Sequence, residues 1–265
     1  ADSRLGSQVK RLFTVYSDSR LEYKKTIAKN HNLSSRLGFR VQKNKAEQDY
    51  TLGYNSATDE LISVQNGVTA LRQVGGGIQE WNWMNTYFNA DYDYKEKLFV
   101  SFNAAMDGSS RFGSQAKNGV AINGNKFAIM PSVGVAWLLS SEDFMTDSRI
   151  NLFKLRFNYS ISGNDDIGNY NHIQTYGSQN LLGMQGLVRN GIPNPAIQWE
   201  TSKKANLGFD MALWNERLGI SLDLYKTVTR NMLAYENLPA ASGFEKVLTN
   251  SGSMQNKGFE ATVSF

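Results

Sequence analysis

A chain of 265 residues with 41% hydrophobic and 20% charged side chains can build a sizeable domain, and that balance excludes a disordered polypeptide. The 28 basic and 24 acidic residues leave a net charge of +4, too even for a nucleic-acid binder, and Lys24 and Lys25 sit in an ordinary strand-like run rather than in a basic patch with stacking aromatics. The cysteine count of zero excludes disulfide and thiolate chemistry and leaves the compartment open.

Aromatics at 12%, with 23 glycines and only 4 prolines, favour strands and tight turns over helices. No run approaches the roughly 18 apolar residues of a membrane helix. The best stretch, Val133 to Leu139, is short and contains Gly134. A mean hydropathy of −0.42 suits a soluble protein and equally a large barrel, in which half of each strand faces water. Ala1-Asp2-Ser3-Arg4 leads into nothing like the apolar core of a signal peptide, so a mature, processed or excised chain is expected.

In chain order, a first strand is expected near Arg20 to Ile27, with Asn30-His31-Asn32 turning it into a second in which Leu37, Phe39 and Val41 alternate with Arg36, Gly38 and Arg40. A long polar stretch, about Lys43 to Glu80, follows; its Gly75-Gly76-Gly77 reads as a flexible loop, since no helix follows to make it a phosphate cradle. The turn Lys95-Glu96-Lys97 leads into Leu98, Val100, Phe102, Ala104 and Met106 on one face and Ser101, Asn103 and Ala105 on the other, with Phe99 the exception. Asp107 to Asn125 reads as a loop, and Ser140 to Asp147 as a modest link. Leu155, Phe157, Tyr159 and Ile161 then alternate with Arg156, Asn158 and Ser160, before a long loop from Gly163 to Glu200. Leu207, Phe209, Met211 and Leu213 alternate with Gly208, Asp210 and Ala212. Beyond the tight turn Trp214 to Arg217, the runs Leu218–Leu224 and Phe259–Phe265 alternate in the same way, separated by a long link from Arg230 to Asn256.

One apolar and one polar face per strand fits a soluble sandwich as well as a membrane barrel. The connections decide between them. Short turns and long loops take turns along the chain, and structureless links this long are uncommon in compact soluble domains. Short turns at one end and long loops at the other are the pattern of outer-membrane barrels. Trp81, Trp83, Tyr92, Tyr94, Trp137, Phe144, Trp199 and Trp214 fall near strand ends, as interfacial girdles require. About nine strands of roughly 9 to 13 residues are expected, near the length a tilted membrane strand needs.

Catalytic signatures are lacking. The two histidines, His31 and His172, fall in no metal-binding spacing, and there is no G-x-S-x-G elbow. Gly163-Asn164-Asp165-Asp166 could offer oxygens to a hard cation but lacks the spacing of a calcium loop, so a polar turn is the simpler reading.

Five segments, in order, resemble the SusC/RagA family of TonB-dependent outer-membrane transporters. They are Asp107 to Gly113 (DGSSRFG); Pro131-Ser132-Val133 with Ala136-Trp137 and Glu142 to Met145; Leu155 to Tyr159 with Gly163-Asn164 and Ile167 to Tyr170; Asn194-Pro195 with Trp199-Glu200-Thr201 and Asn206 to Asp210; and Asn256 to Glu260 (NKGFE). The resemblance implies an all-β fold, an antiparallel meander forming part of a 22-stranded transmembrane barrel. Residues 1–265 would then be one segment of the barrel domain, with no plug domain present. It implies a place in the bacterial outer membrane and import of oligosaccharide or peptide. The partners would be a SusD-like surface lipoprotein, TonB acting through the missing plug, the remainder of the barrel, and outer-membrane lipid. No cofactor, metal, catalytic residue or nucleic acid is implied.

Asp107, Arg111 and Trp199 are the candidate substrate-contacting residues. An architectural role is the simpler reading for each: Asp107-Gly108 bending the strand into its loop, Arg111 pairing with a carboxylate, Phe112 and Trp199 anchoring at the interface. The alternative to a transporter segment is a soluble, secreted β-rich binding or adhesion module; a β-rich enzyme lacks a site.

Overall fold

In the computed structural model, which describes residues 3–58, 60–146 and 148–265, the described residues contain strands and five short 3-10 turns but no α-helix. The strands are β1 (Arg4–Ile27), β2 (His31–Tyr54), β3 (Gln73–Tyr94), β4 (Leu98–Ser109), β5 (Val120–Ile122), β6 (Asn125–Leu138), β7 (Ile150–Asn164), β8 (Tyr176–Leu181), β9 (Met184–Arg189), β10 (Glu200–Leu213), β11 (Leu218–Asn237) and β12 (Lys246–Ser264). One sheet runs β1-β2-β3-β4-β6-β7-β10-β11-β12, with β5 added beside β6, and β8 and β9 form a separate hairpin. The main path thus has the nine strands expected, and it does not close on itself. Ala1 and Asp2 of the N-terminal segment, Asp59 within the first long link and Asp147 at the end of the Ser140 link lie outside the described residues.

The chain divides into two compact units, Ala1–Ser17 with Val41–Trp83, and Asp18–Arg40 with Met84–Phe265. In the first, Asn44 ties its neighbours together: it accepts from Thr14 Oγ1 at 3.0 Å and Gln42 Nε2 at 2.9 Å, and its own amide donates to the Trp81 carbonyl. Ser3 accepts the backbone N–H of Asn55 and, on its hydroxyl, that of Ser56.

Two expectations about length are corrected. Along the main path the strands run from 12 to 24 residues, up to about twice the 9–11 needed to cross a bilayer. Most of the two links at Lys43–Glu80 and Arg230–Asn256 is therefore strand, leaving loops only at 55–72 and 238–245. Gly75-Gly76-Gly77 lies within β3 rather than in a flexible loop, Gly75 packing against the Tyr50 ring. The reason is that a strand prolonged beyond the bilayer keeps its neighbour's hydrogen bonds but no longer needs an apolar outward face, so the alternation stops before the strand does. Likewise Trp81 and Trp83 fall inside β3, away from its ends.

The first hairpin also turns earlier than expected. Ala28 and Lys29, at φ 50° and 62°, make the turn, and His31 and Asn32 open β2. The Lys95-Glu96-Lys97 and Trp214 to Arg217 turns are as expected, with positive φ at Lys95, Glu96, Trp214, Asn215 and Glu216. Neighbouring short turns lie side by side: Lys95 N donates to the Asn30 carbonyl at 2.8 Å, Leu138 N to Lys97 at 2.7 Å, and Asn215 N to Asn151 Oδ1 at 2.7 Å. In the second unit, the loops 110–119 and 165–199 meet at the other end of the strands.

The register aligns like with like across the second unit. Val100, Val135, Phe157, Leu207, Leu224 and Phe259 occupy one row across β4, β6, β7, β10, β11 and β12. The row below holds Leu98, Trp137, Leu155, Phe209, Leu222 and Ala261. These side chains are largely uncovered: Leu207 is 53% exposed and Phe259 71%. Between the rows, on the opposite face, lie Phe99, Ala136, Arg156, Gly208, Asp223 and Glu260, so Phe99 sits among the polar positions. A single-residue slip of register would exchange the two faces, so the apolar rows specify the pairing.

Candidate functional site

Two features stand out: a charged network on the polar face and a buried cluster where the loops meet. In the network, Arg156 on β7 makes a two-pronged contact with Asp210 on β10, Nε to Oδ2 at 2.8 Å and Nη2 to Oδ1 at 3.0 Å. Nη2 also reaches Asp223 on β11 at 3.0 Å, and Ser221 Oγ donates to Asp210 Oδ1 at 2.8 Å. Arg156 pairs in register with Gly208, which in turn pairs with Asp223. A Cβ at Gly208 would press on Asp223 Oδ1 and come within 3.0 Å of the guanidinium, so the glycine leaves the arginine an unobstructed path across β10 to the second carboxylate. One guanidinium thereby binds three adjacent strands through charge-assisted hydrogen bonds.

The cluster is built from Phe112, Ala128, Ile167, Ile197 and Trp199, with Met130, Leu233 and Leu248 packed against it. Ile167 and Ile197 are the largest fully buried side chains among the described residues. The Phe112 and Trp199 rings lie 4.7 Å apart at a 50° tilt, a favourable aromatic arrangement. The surrounding backbone is pinned throughout. Gly113 N donates to the Ile197 carbonyl and Gln115 N to that of Pro195, both at 2.9 Å, and Asn118 N donates to Gln198 Oε1 at 3.0 Å. Asn250 accepts from Gln198 N and donates to the carbonyls of Gln198 and Asn231. Glu200 accepts the Leu233 N–H at 2.8 Å, within the irregular stretch of the β11–β12 pairing. Gly119 turns at φ +87°, and a Cβ there would strike the Phe127 carbonyl and the Trp199 ring.

The candidate residues fall in or beside this cluster. Asp107 accepts from the Asn85 side chain near the loop end of β4. Arg111 Nε donates to Asn169 Oδ1 at 2.9 Å and Nη1 to the Asp165 carbonyl at 3.4 Å. Trp199, expected at a membrane interface, is 4% exposed and central to the cluster, and Phe112 is buried beside it. Their partners come from segments far apart in sequence, and this apolar closure of the loops outcompetes an interfacial position. Sequence reasoning did not foresee the Arg156–Asp210–Asp223 network; its signal was an arginine and two aspartates on the polar faces of neighbouring runs.

Elsewhere, of the segment expected as a polar turn, Gly163 and Asn164 still pair with β10 as the end of β7, and Asp165-Asp166 follow them, with Asp166 N bonded to Asn164 Oδ1 at 3.2 Å. Among the described residues no group of three or more His, Cys, Asp or Glu could hold a metal. His172 lies in the long loop, where burial holds its imidazole below the ordinary pKa. His31 packs on Tyr94 and bonds the Tyr92 hydroxyl at 2.6 Å, so it tethers the short-turn end. Trp137 Nε1 and Lys97 Nζ both donate to Glu142, each at 3.0 Å. These bonds hold the Glu142 carboxyl below its usual pKa, and Glu142 in turn holds Lys97 above its own.

An open antiparallel sheet with an apolar outward belt, a polar opposite face, short turns at one end and interlocked loops at the other defines a wall of an outer-membrane β-barrel. The model of the TonB dependent receptor-like, beta-barrel family matches residues 3–265, and the chain belongs to that family, whose barrels reside in the bacterial outer membrane. It is 32% identical over 255 residues to TonB-dependent receptor P3 of Formosa agariphila, covering 94% of this chain and 24% of the relative. To TonB-dependent receptor SusC of Bacteroides thetaiotaomicron it is 25% identical over 194 residues, covering 69% of this chain and 18% of SusC. Among solved structures, the RagAB peptide transporter aligns with a TM-score of 0.78 at 26% identity, over 99% of this chain and 28% of that one. The chain spans about a quarter of the length of the relatives it matches over nearly its whole length.

Proposed function

We propose that the chain is one segment of the barrel domain of an outer-membrane, TonB-dependent nutrient importer, with the plug and the remaining wall supplied by sequence beyond residues 1–265. The cargo would be an oligosaccharide or a peptide, and a SusD-like lipoprotein would sit over the loop end. One observation carries the reading: three family-like segments, Asp107 to Gly113, Gly163 to Tyr170 and Asn194 to Thr201, interlock through Arg111–Asn169, Gly113–Ile197 and Phe112–Trp199 at a single end of the sheet. The similarity to SusC and to the RagAB peptide transporter supports the partnership and the cargo class. We assign no catalytic role to any residue.

Within this reading, Asp107, Arg111 and Trp199 shape the mouth by fixing loops, and cargo selection falls to other parts of the protein. The sheet edges at β1 and β12 gain further strands, since an unpaired backbone group in lipid costs several kcal/mol. The test is cell fractionation of the tagged full-length protein, followed by purification in detergent. Recovery in the outer membrane with a co-purifying surface lipoprotein is expected. Recovery of the protein alone in the soluble fraction would overturn the reading in favour of a secreted binding module.

A further inference from the structure

Above the apolar rows, the outward face of three adjacent strands, β10, β11 and β12, turns cationic. On β11 the outward positions run Leu218, Ile220, Leu222 and Leu224, then Lys226, Val228 and Arg230. On β10, Lys203 follows Leu207 and Ala205 in the same direction, and on β12 Lys257 follows Phe259. Lys226 pairs directly with Lys257, and Lys203 pairs with Val228, which places it diagonal to Lys226. All four cations are exposed, and none makes an ion pair among the described residues. The outward positions of these strands over the paired stretch carry no carboxylate; Asp210, Asp223 and Glu260 all lie on the polar face. Like charges directly opposite one another destabilise a sheet pair, so Lys226 and Lys257 are a cost to the bare wall. An anion between them would remove it.

Depth indicates where such an anion would come from. Lys226 is eight residues beyond Leu218 on β11, and at about 3.3 Å per residue with a tilt near 40° that is roughly 20 Å of height. An apolar band about 25 Å tall that starts at the short turns therefore ends close to the lysines, in the headgroup layer of the outer leaflet. Toward β4 the patch does not continue. The row of Lys226 and Lys257 continues through Ala205, Tyr159, Val133 and Phe102 without another charge.

We infer that Lys203, Lys226 and Lys257, with Arg230 above them, form a binding site on the outer wall for the phosphate of an anionic lipid headgroup. The site rests on the outward face of the barrel meeting lipid. Flexible lysine stems lie along the apolar wall and lift their ammonium groups to the headgroup layer.

The test uses the full-length protein in non-ionic detergent and native mass spectrometry with added dioleoyl phosphatidic acid or dioleoyl phosphatidylcholine. Wild type should retain phosphatidic acid in preference to phosphatidylcholine. K226Q/K257Q should bind it at least about tenfold more weakly, while K204Q, on the polar face, should match wild type. Heat-modifiable gel migration reports folding and barrel character independently of lipid; should the double variant not fold, K203Q/K257Q takes its place. Equal retention of phosphatidic acid by wild type and a folded double variant would overturn the site. So would displacement of phosphatidic acid by equimolar inorganic phosphate, which would assign the lysines to a free anion.

Discussion

The middle of the wall and the loop cluster use the same kinds of side chain in opposite ways. At mid-wall, Leu207, Leu224 and Phe259 stand exposed in a row, and the polar side chains of Arg156, Asp210 and Asp223 are tied together on the other face. In the loop cluster, Phe112, Ile167, Ile197 and Trp199 turn toward one another and are buried. The difference follows from the solvent. Lipid is as apolar as leucine, so burial against other side chains gains little at mid-wall and the backbone ladder holds that region together. Outside the bilayer water surrounds the chain, and the loops must make a core of their own.

That contrast can be broken at its strongest point first. Trp199→Ala removes the centre of the loop core and should cost about 3 to 5 kcal/mol of local stability, as large-to-small core substitutions do. Limited proteolysis of the full-length protein should then cut within residues 165–199 while the strands stay protected. Protection of those loops equal to wild type would deny the cluster its role.

The mid-wall is next. Leu222→Arg places a charge on the lipid face, at a cost of roughly 2 to 4 kcal/mol near mid-bilayer, and should lower the heat-modifiable fraction recovered from outer membranes. Ser221→Arg, on the polar face beside Asp210, should be tolerated better. Equal losses from the two would mean a sheet buried on both faces.

The smallest effect belongs to the short-turn end. The hydrogen bond from Trp137 and the contact with Lys97 depress the Glu142 pKa, so their stabilisation is complete above the ordinary value of 4.5 and is lost as pH falls through the depressed one. The raised pKa of Lys97 keeps its contribution present below 10.5 and removes it only at higher pH. Protection of residues 138–146 against hydrogen exchange, taken relative to the intrinsic rate at each pH, should therefore fall on acidification below about pH 4.5. Glu142→Gln should exchange faster at neutral pH and lose that acid dependence; an unchanged acid response in the variant would place its origin elsewhere.

The legible parts of the fold are those where a local rule was enforced by the environment. Leu155–Ile161, Leu207–Leu213 and Leu218–Leu224 had to alternate because one face meets lipid, and their strands follow from the sequence directly. Lys95-Glu96 and Trp214 to Glu216 had to turn because the chain reverses within a few residues. The prolonged portions of β2, β3, β11 and β12 escaped notice because no alternation marks them; each continues because a neighbour pairs with it. The candidate site was visible as a set of motifs but not as an assembly. Asp107 to Gly113 and Trp199 to Thr201 stood out as segments, yet nothing local to either indicates that Phe112 meets Trp199 or that Arg111 meets Asn169.

By itself, the sequence determined the all-β class, the outward and polar faces of each mid-wall strand and the turns at Lys95-Glu96 and Trp214 to Glu216, because these depend on a period of two and on residues only a few places apart. The tertiary structure decided the lengths of the outer strands, the three-strand reach of Arg156 past Gly208, the cation patch at Lys203, Lys226 and Lys257, and the burial of Trp199. Each of those depends on register between strands or on packing between loops dozens of residues apart, and such distances are set by the sum of many pairings, which no short window of sequence contains.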